Sequence, residues 1–185
     1  MQVDDPQLLT HYMRRPELSL EQYRSWAEKH VELLNHTLRD LPRDRIRFHS
    51  CYSVAFGPRV HDLEFKNVID LVAKIHAGAH SFEASNPRHE HEWKLWEGVK
   101  LPEETLLIPG VVTQSTATVE HPELVAQRIE RFAGIVGRER VIGGVDCGFA
   151  SIARFADMPN SVIWAKLQAL TEGARVASRR LWGRG

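Results

Sequence analysis

Residues 45–51 of the chain read RIRFHSC, and this stretch with its two flanking segments indicates the class of fold. Bounded by charged and turn-forming residues, the stretch predicts a short β-strand. A helix is predicted on each side of it. One covers residues 19–38 and opens with a capping box formed by Ser19 and Gln22, and the other covers residues 62–76, where apolar side chains recur at helical spacing.

The same alternation continues in both directions along the chain. Further strands are predicted at residues 1–3, 79–84, 105–112 and 141–145, and further helices at residues 88–96, 122–136 and 160–182. Strands that alternate with helices imply parallel βα units, so we expect an α/β fold. No low-complexity segment or change of composition interrupts the chain, and we expect a single domain over residues 1–185. In such folds the strand ends line the face where sites are built.

Composition and charge exclude several classes of function. Lysine plus arginine number 24 and aspartate plus glutamate number 24, so the formal net charge is zero. Nucleic acid is therefore not expected as the main partner, because phosphate binding needs a basic excess. No apolar run approaches the ~20 residues that span a membrane, and the N-terminal residues lack the pattern of a signal peptide. Two cysteines are too few for a disulfide framework, which favours a cytoplasmic protein.

Four side chains of the metal-ligand type fall at the ends of predicted strands. His49 and Cys51 are two residues apart, so in a strand they point to the same side. Glu83 ends the following strand, and Cys147 follows the last one. One imidazole, two thiolates and one carboxylate suit tetrahedral Zn²⁺. Each residue type alone is commonly inert or solvated, so the residues by themselves leave both interpretations open, and only their joint placement favours zinc.

Short motifs at or near the strand ends occur in a fixed order. They are QVDDP (2–6), HSCYS (49–53), FEAS (82–85), IPGV (108–111) and VDCG (145–148). Together these motifs resemble the catalytic barrel of the cobalamin-independent methionine synthase family. The runs NPRHEHEW (86–93) and WAKL (164–167) are similar to the shorter bacterial members of that superfamily, which lack the N-terminal half of the synthase. The resemblance covers essentially the whole chain.

The resemblance implies a fold, a cofactor and a reaction. The family barrel is of the (β/α)8 TIM-barrel type, and its catalytic zinc is held by side chains that correspond to His49, Cys51, Glu83 and Cys147. Asp4 falls where the family contacts the amino group of homocysteine. The implied reaction is methyl transfer from a methyltetrahydrofolate to the sulfur of homocysteine, because coordination to Zn²⁺ deprotonates a thiol and leaves a nucleophilic thiolate.

Two departures from the family pattern bear on these expectations. The synthases carry a histidine after the Pro-Gly-Val strand as a proton donor, whereas residues 113–116 read TQST here, which leaves both the proton donor and the alkyl donor unassigned. The chain also starts at what resembles the fourth barrel strand, so about the last five βα units are expected, whereas a complete barrel takes ~250 residues. The chain is then a fragment, a truncated product or half of a two-chain barrel. We expect self-association or a partner chain that supplies the missing strands.

Three functions are compatible with these residues. The first is a zinc-dependent methyltransferase of the methionine synthase type. The second keeps the zinc thiolate but attacks another electrophile, such as an epoxide, and the third is a non-catalytic half-barrel that needs a partner. A second polar cluster, HEHE at residues 89–92, is not expected to bind a metal, because His89 and His91 would point about 200° apart on a helix. We expect a solvated or substrate-facing polar helix there.

Overall fold

A computed structural model describes residues 1–52, 60–150 and 158–183. At its centre is a five-stranded parallel sheet whose strands follow one another in chain order. The strands are β1 (Gln2–Asp4), β2 (Arg47–Ser50), β3 (Ala79–Phe82), β4 (Leu106–Val112) and β5 (Gly144–Val145). Parallel strands in sequential order are the arrangement of consecutive units in a (β/α)8 barrel. The predicted α/β fold, an incomplete barrel of five units, is confirmed.

Five α-helices lie within the described residues. They are α1 (Gln7–Arg14), α2 (Leu20–Leu38), α3 (Ile69–Val72), α4 (Pro122–Val136) and α5 (Asn160–Trp182). The capping box of α2 is present, because Ser19 and Gln22 each bind the backbone N–H of the other. The sequence pattern does not predict α1, which starts where the Asp5 carboxylate accepts hydrogen bonds from the N–H groups of Gln7 and Leu8. Across the described ranges, every helix is too short or too polar to cross a bilayer.

Two of the predicted helices differ in the structure. Residues 62–76 hold only a 3-10 turn at Phe65–Asn67 and the single turn of α3. In a helix that begins after Asp62, the N–H of Phe65 would be bound by the Asp62 side chain as its cap. Here that N–H donates to the carboxylate of Glu92 at 2.6 Å, and the Asp62 carboxylate binds His89 at 3.0 Å instead. The predicted polar helix at residues 88–96 is a 3-10 helix, Glu90–Gly98.

The two faces of the sheet differ in their surroundings. Phe48, His80 and Leu107 lie side by side on adjacent strands, and none is more than 1% exposed. Side chains alternate between faces along a strand, so the next pair in register, His49 and Ser81, points the opposite way. That second face corresponds to the interior of a barrel, and the candidate site lies on it.

Candidate metal centre

Three of the four predicted ligands meet at the carboxyl ends of the strands. His49 lies in β2, Cys51 follows β2 directly, and Cys147 follows β5. One ligand atom of each lies within 4.8 Å of the other two, and among the described residues these three alone form such a group. His49 and Cys51 are buried, Cys147 is partly buried, and both cysteines are free thiols.

The sheet register orients the imidazole of His49. Its Nδ1 lies 3.0 Å from the hydroxyl oxygen of Ser81, the residue paired with it on β3. The same imidazole is also hydrogen-bonded to the sulfur of Cys147. A second hydrogen bond of this kind fixes both the tautomer and the direction of a metal-binding histidine. The ring is therefore held before any ligand arrives.

Glu83, the fourth predicted ligand, lies beside this group and not within it. The residue follows β3 and is buried. Its Oε1 accepts a hydrogen bond from the backbone N–H of Tyr52 at 2.7 Å, and its Oε2 accepts one from the side-chain amide of Asn86 at 2.8 Å. The carboxylate is thus positioned by two neutral donors.

The two cysteines differ in their affinity for a proton. The hydrogen bond from the Cys51 thiol lowers the pKa of Cys147, and the neighbouring His49 adds to this effect against the opposing effect of burial. The same hydrogen bond, burial and the negative charges of Cys147, Glu83 and Asp4 raise the pKa of Cys51. Burial lowers the pKa of His49, but its contacts with Cys147 outweigh burial and the net pKa is raised. The protein alone therefore favours a thiolate on Cys147 and a thiol on Cys51.

This donor set fits a divalent cation of borderline softness. Two sulfurs within 4.8 Å of each other repel when both are ionised, and a dication removes that repulsion by taking both as thiolates. Thiolate and imidazole ligands select zinc over magnesium and calcium, which prefer oxygen. The residues present therefore fit the zinc ion that the sequence predicts.

Asp4, the predicted substrate contact, ends β1 and is paired with His49 in the sheet. Paired residues of adjacent strands point to the same face, so the Asp4 carboxylate lies on the side of the site. It is exposed and accepts a hydrogen bond from the side-chain amide of Gln2 at 2.8 Å. An accessible carboxylate in this place can contact a cationic group of a solute.

Behind the site, a buried histidine lies between two carboxylates. His89 Nδ1 is 2.8 Å from Glu92 Oε2, and its Nε2 is 3.0 Å from Asp62 Oδ2. The ring also stacks on Tyr52 with 3.6 Å between centroids, and Tyr52 is the residue whose N–H holds Glu83. Burial lowers the pKa of His89, but the two carboxylates outweigh it and raise the pKa. Of the two alternatives predicted for this segment, a solvated or a substrate-facing helix, the solvated one is wrong at His89 and Glu92, which are both buried.

The neighbouring Glu90 ties the same segment to α4. Its carboxylate accepts hydrogen bonds from Arg128 at 2.8 and 2.9 Å and from Arg131 at 3.3 Å. Arg128 is itself buried and donates to the carbonyl of Val111 in β4 at 3.0 Å. Sequence reasoning missed this network, because a run of polar residues after a strand is equally typical of a surface loop.

Fold and site together define a class of protein, a parallel α/β chain of the barrel type with a cysteine–histidine group at the carboxyl ends of its strands. Residues 1–162 match the family described as "Cobalamin-independent synthase, Catalytic domain", and the chain belongs to this family. A B12-independent methionine synthase from Shewanella sp. W3-18-1, solved in complex with selenomethionine, is similar in structure, with a TM-score of 0.68 and 17% identity. The alignment covers 98% of this chain and 49% of that one, so this chain spans about half of that synthase. At this identity the likeness shows the fold alone. No curated protein sequence matches the chain.

Proposed function

We propose that the chain provides the zinc-binding part of a methyltransferase that moves a methyl group from a folate-type donor to a homocysteine-like thiol. The observation that carries this proposal is the meeting of His49, Cys51 and Cys147 within 4.8 Å at the strand ends. Membership of the cobalamin-independent synthase family supports the reaction class. The cytoplasmic location expected from the sequence and the single domain over residues 1–185 stay predictions.

Each predicted residue has a role in this proposal. His49, Cys51 and Cys147 would hold the zinc ion, with Glu83 as the fourth ligand. When bound, zinc keeps an acceptor thiol, whose ordinary pKa is ~8.5, in its nucleophilic thiolate form at neutral pH. The exposed carboxylate of Asp4 would bind the ammonium group of the acceptor and so orient its sulfur toward the methyl donor.

The rest of the active site would come from outside the five strands. The chain spans about half of the synthase that it matches in structure, 49% of its length. Within the described residues, β1 and β5 are the two edge strands of the sheet. A further chain segment, a second copy or a partner chain would supply the missing strands and part of the substrate pocket. Proton delivery to the donor has no residue assigned, since the histidine expected after β4 is absent from residues 113–116.

Metal analysis of purified variants tests the site. Cys51→Ser and Cys147→Ser should each lose most of the bound zinc, because a neutral hydroxyl is a poor substitute for a soft thiolate. His61→Gln is the control, since His61 is exposed and lies outside the proposed ligands. An unchanged zinc content in both cysteine variants would rule the assignment out.

Activity assays with different donors test the reaction. The zinc-loaded chain, alone and with any partner that co-purifies, is incubated with homocysteine and a methyltetrahydrofolate, another methyl donor or an epoxide. Methionine formation from the folate supports the proposal, and alkylation by the epoxide alone would establish the second function predicted from the sequence. Zinc binding without any thiol alkylation would favour the non-catalytic half-barrel.

A further inference from the structure

The carboxylate of Asp146 links two strand ends that are not neighbours in the sheet. Its Oδ1 accepts hydrogen bonds from the backbone N–H groups of Ala84 at 2.7 Å and Ser85 at 2.9 Å. Asp146 follows β5, whereas Ala84 and Ser85 follow β3, and β4 lies between them. Asp146 is 0% exposed, so water does not compete for these bonds.

A glycine in β4 makes this crossing possible. A Cβ on Gly110 would lie 2.1 Å from Asp146 Oδ1 and 2.4 Å from Asp146 Cα, so any side chain there would displace the aspartate. The register between β4 and β5 also shifts between Gly110 and Val112, as in a β-bulge. Just beyond the shift, the N–H of Asp146 donates to the carbonyl of Val112 at 2.9 Å. The backbone of Asp146 is thus fixed on β4 while its side chain passes over to β3.

Both ends of this link are next to predicted ligands. Ala84 follows Glu83, and Asp146 precedes Cys147. We propose that Asp146 is a positioning residue for the metal centre, whose carboxylate crosses β4 at Gly110 and holds Glu83 in a fixed relation to Cys147. The inference rests on the proposed zinc site. Contacts that orient the ligands of a metal commonly change its affinity by ~10–100-fold when they are removed.

A contact that only stabilised the fold would behave differently. Its removal would lower the melting temperature of the metal-free chain, but the folded fraction would still bind metal with the same affinity and geometry. The affinity and the absorption spectrum of bound Co²⁺ therefore separate the two roles. The thiolate-to-Co²⁺ and d–d bands report directly on the number and arrangement of the sulfur ligands.

The experiment compares four variants of the 185-residue chain. Asp146→Ala removes the carboxylate, and Gly110→Ala displaces it by filling its path. Asp146→Asn keeps an oxygen acceptor for the two N–H groups. Gly134→Ala, in α4, is the matched control, because a Cβ there meets no atom within 4 Å. Zinc affinity is measured by competition with a chelator, Co²⁺ spectra are recorded, and metal-free melts verify folding.

The expected result is a loss of zinc affinity of about tenfold or more in Asp146→Ala and Gly110→Ala, with altered Co²⁺ bands. Asp146→Asn and Gly134→Ala should bind like the wild type. Folded Asp146→Ala with unchanged affinity and spectrum would overturn the inference, and so would Asp146→Asn as weak as Asp146→Ala. If Asp146→Ala does not fold, a folded Gly110→Ala with unchanged affinity and spectrum would overturn the inference in its place. A wild-type chain that binds no zinc would instead refute the proposed function.

Discussion

His80 should make the stability of the chain sensitive to acid. The residue lies in β3 on the helix-facing side of the sheet, is 1% exposed, and packs edge-on against Phe48 with 6.3 Å between centroids. Within the described residues, neither ring nitrogen has a hydrogen-bond partner. Burial, together with the positive charge of Arg43, lowers the pKa of His80 to about 4. Protonation in the folded state is therefore disfavoured, because the imidazolium would be buried without a partner.

The size of the effect follows from the two pKa values. A lowered folded-state pKa means that the unfolded chain binds more protons between pH 6.5 and 4, so stability falls as the pH drops through that window. At pH 5, with an unfolded-state pKa of 6.5 and a folded-state pKa of about 4, protonation favours the unfolded state about thirtyfold, or about 2 kcal/mol. Above pH 7.5 this contribution is close to zero.

Denaturant unfolding of the metal-free chain at pH 8 and pH 5 measures the effect. Between these two values the wild type should lose about 2 kcal/mol more unfolding free energy than His80→Leu, which cannot be protonated. His91→Gln, an exposed histidine on another segment, is the control and should follow the wild type. Equal pH dependence in the wild type and His80→Leu would refute the reasoning, because it would mean that His80 is hydrated or paired in solution.

Three further predictions concern packing and assembly. Lys166 is 0% exposed and paired with Glu120 at 2.8 Å. Lys166→Met should lower the free energy of unfolding by about 3–5 kcal/mol, because the substitution leaves the buried carboxylate of Glu120 without its counter-ion. In denaturant unfolding, adding Glu120→Gln should restore part of the loss. Gly173→Ala should destabilise by about 1–3 kcal/mol in the same assay, since its Cβ would lie 2.4 Å from that of Val125, whereas Gly134→Ala should stabilise by up to about 1 kcal/mol. In light scattering and thermal melting, the isolated chain should self-associate or be poorly stable, because within the described residues neither edge of the sheet has a further strand beside it. A monomer at micromolar concentration with a sharp cooperative melt would contradict this.

The order of the strands could be predicted because it depends on local signals. The RIRFHSC stretch and the capping box at Ser19 each act within a few residues, and alternation of strand and helix then implies a parallel sheet. The meeting of His49, Cys51 and Cys147 followed from the same reasoning, since the carboxyl ends of parallel strands share one face. The position of Glu83 did not follow, because its partners Tyr52 and Asn86 are a backbone donor and a loop side chain.

Long-range polar contacts account for what the sequence pattern misplaced. At the start of the helix predicted over residues 62–76, Glu92 binds the N–H of Phe65, 27 residues away, in place of a cap by Asp62. His89 was expected on a solvated or substrate-facing helix, yet Asp62, also 27 residues away, pairs with it in the interior. The periodicity of apolar residues in a sequence indicates which side chains are buried in a helix or strand. It does not indicate which distant charged residue a polar side chain will contact. The burial of a charged residue can therefore be predicted only when its partner is known.

The short distance between Cys51 and Cys147 is evidence that the sheet is curved. β2 and β5 are three inter-strand steps apart, and at ~4.8 Å per step a flat sheet would separate their ends by about 14 Å. The ligand atoms of Cys51 and Cys147 nevertheless lie within 4.8 Å of each other, which requires the strand ends to converge toward the inner face as they do in a barrel. In β4, the strand that the Asp146 link has to cross, Gly110 carries no side chain that would block that link. The five strands therefore already have the curvature that brings the two cysteines together.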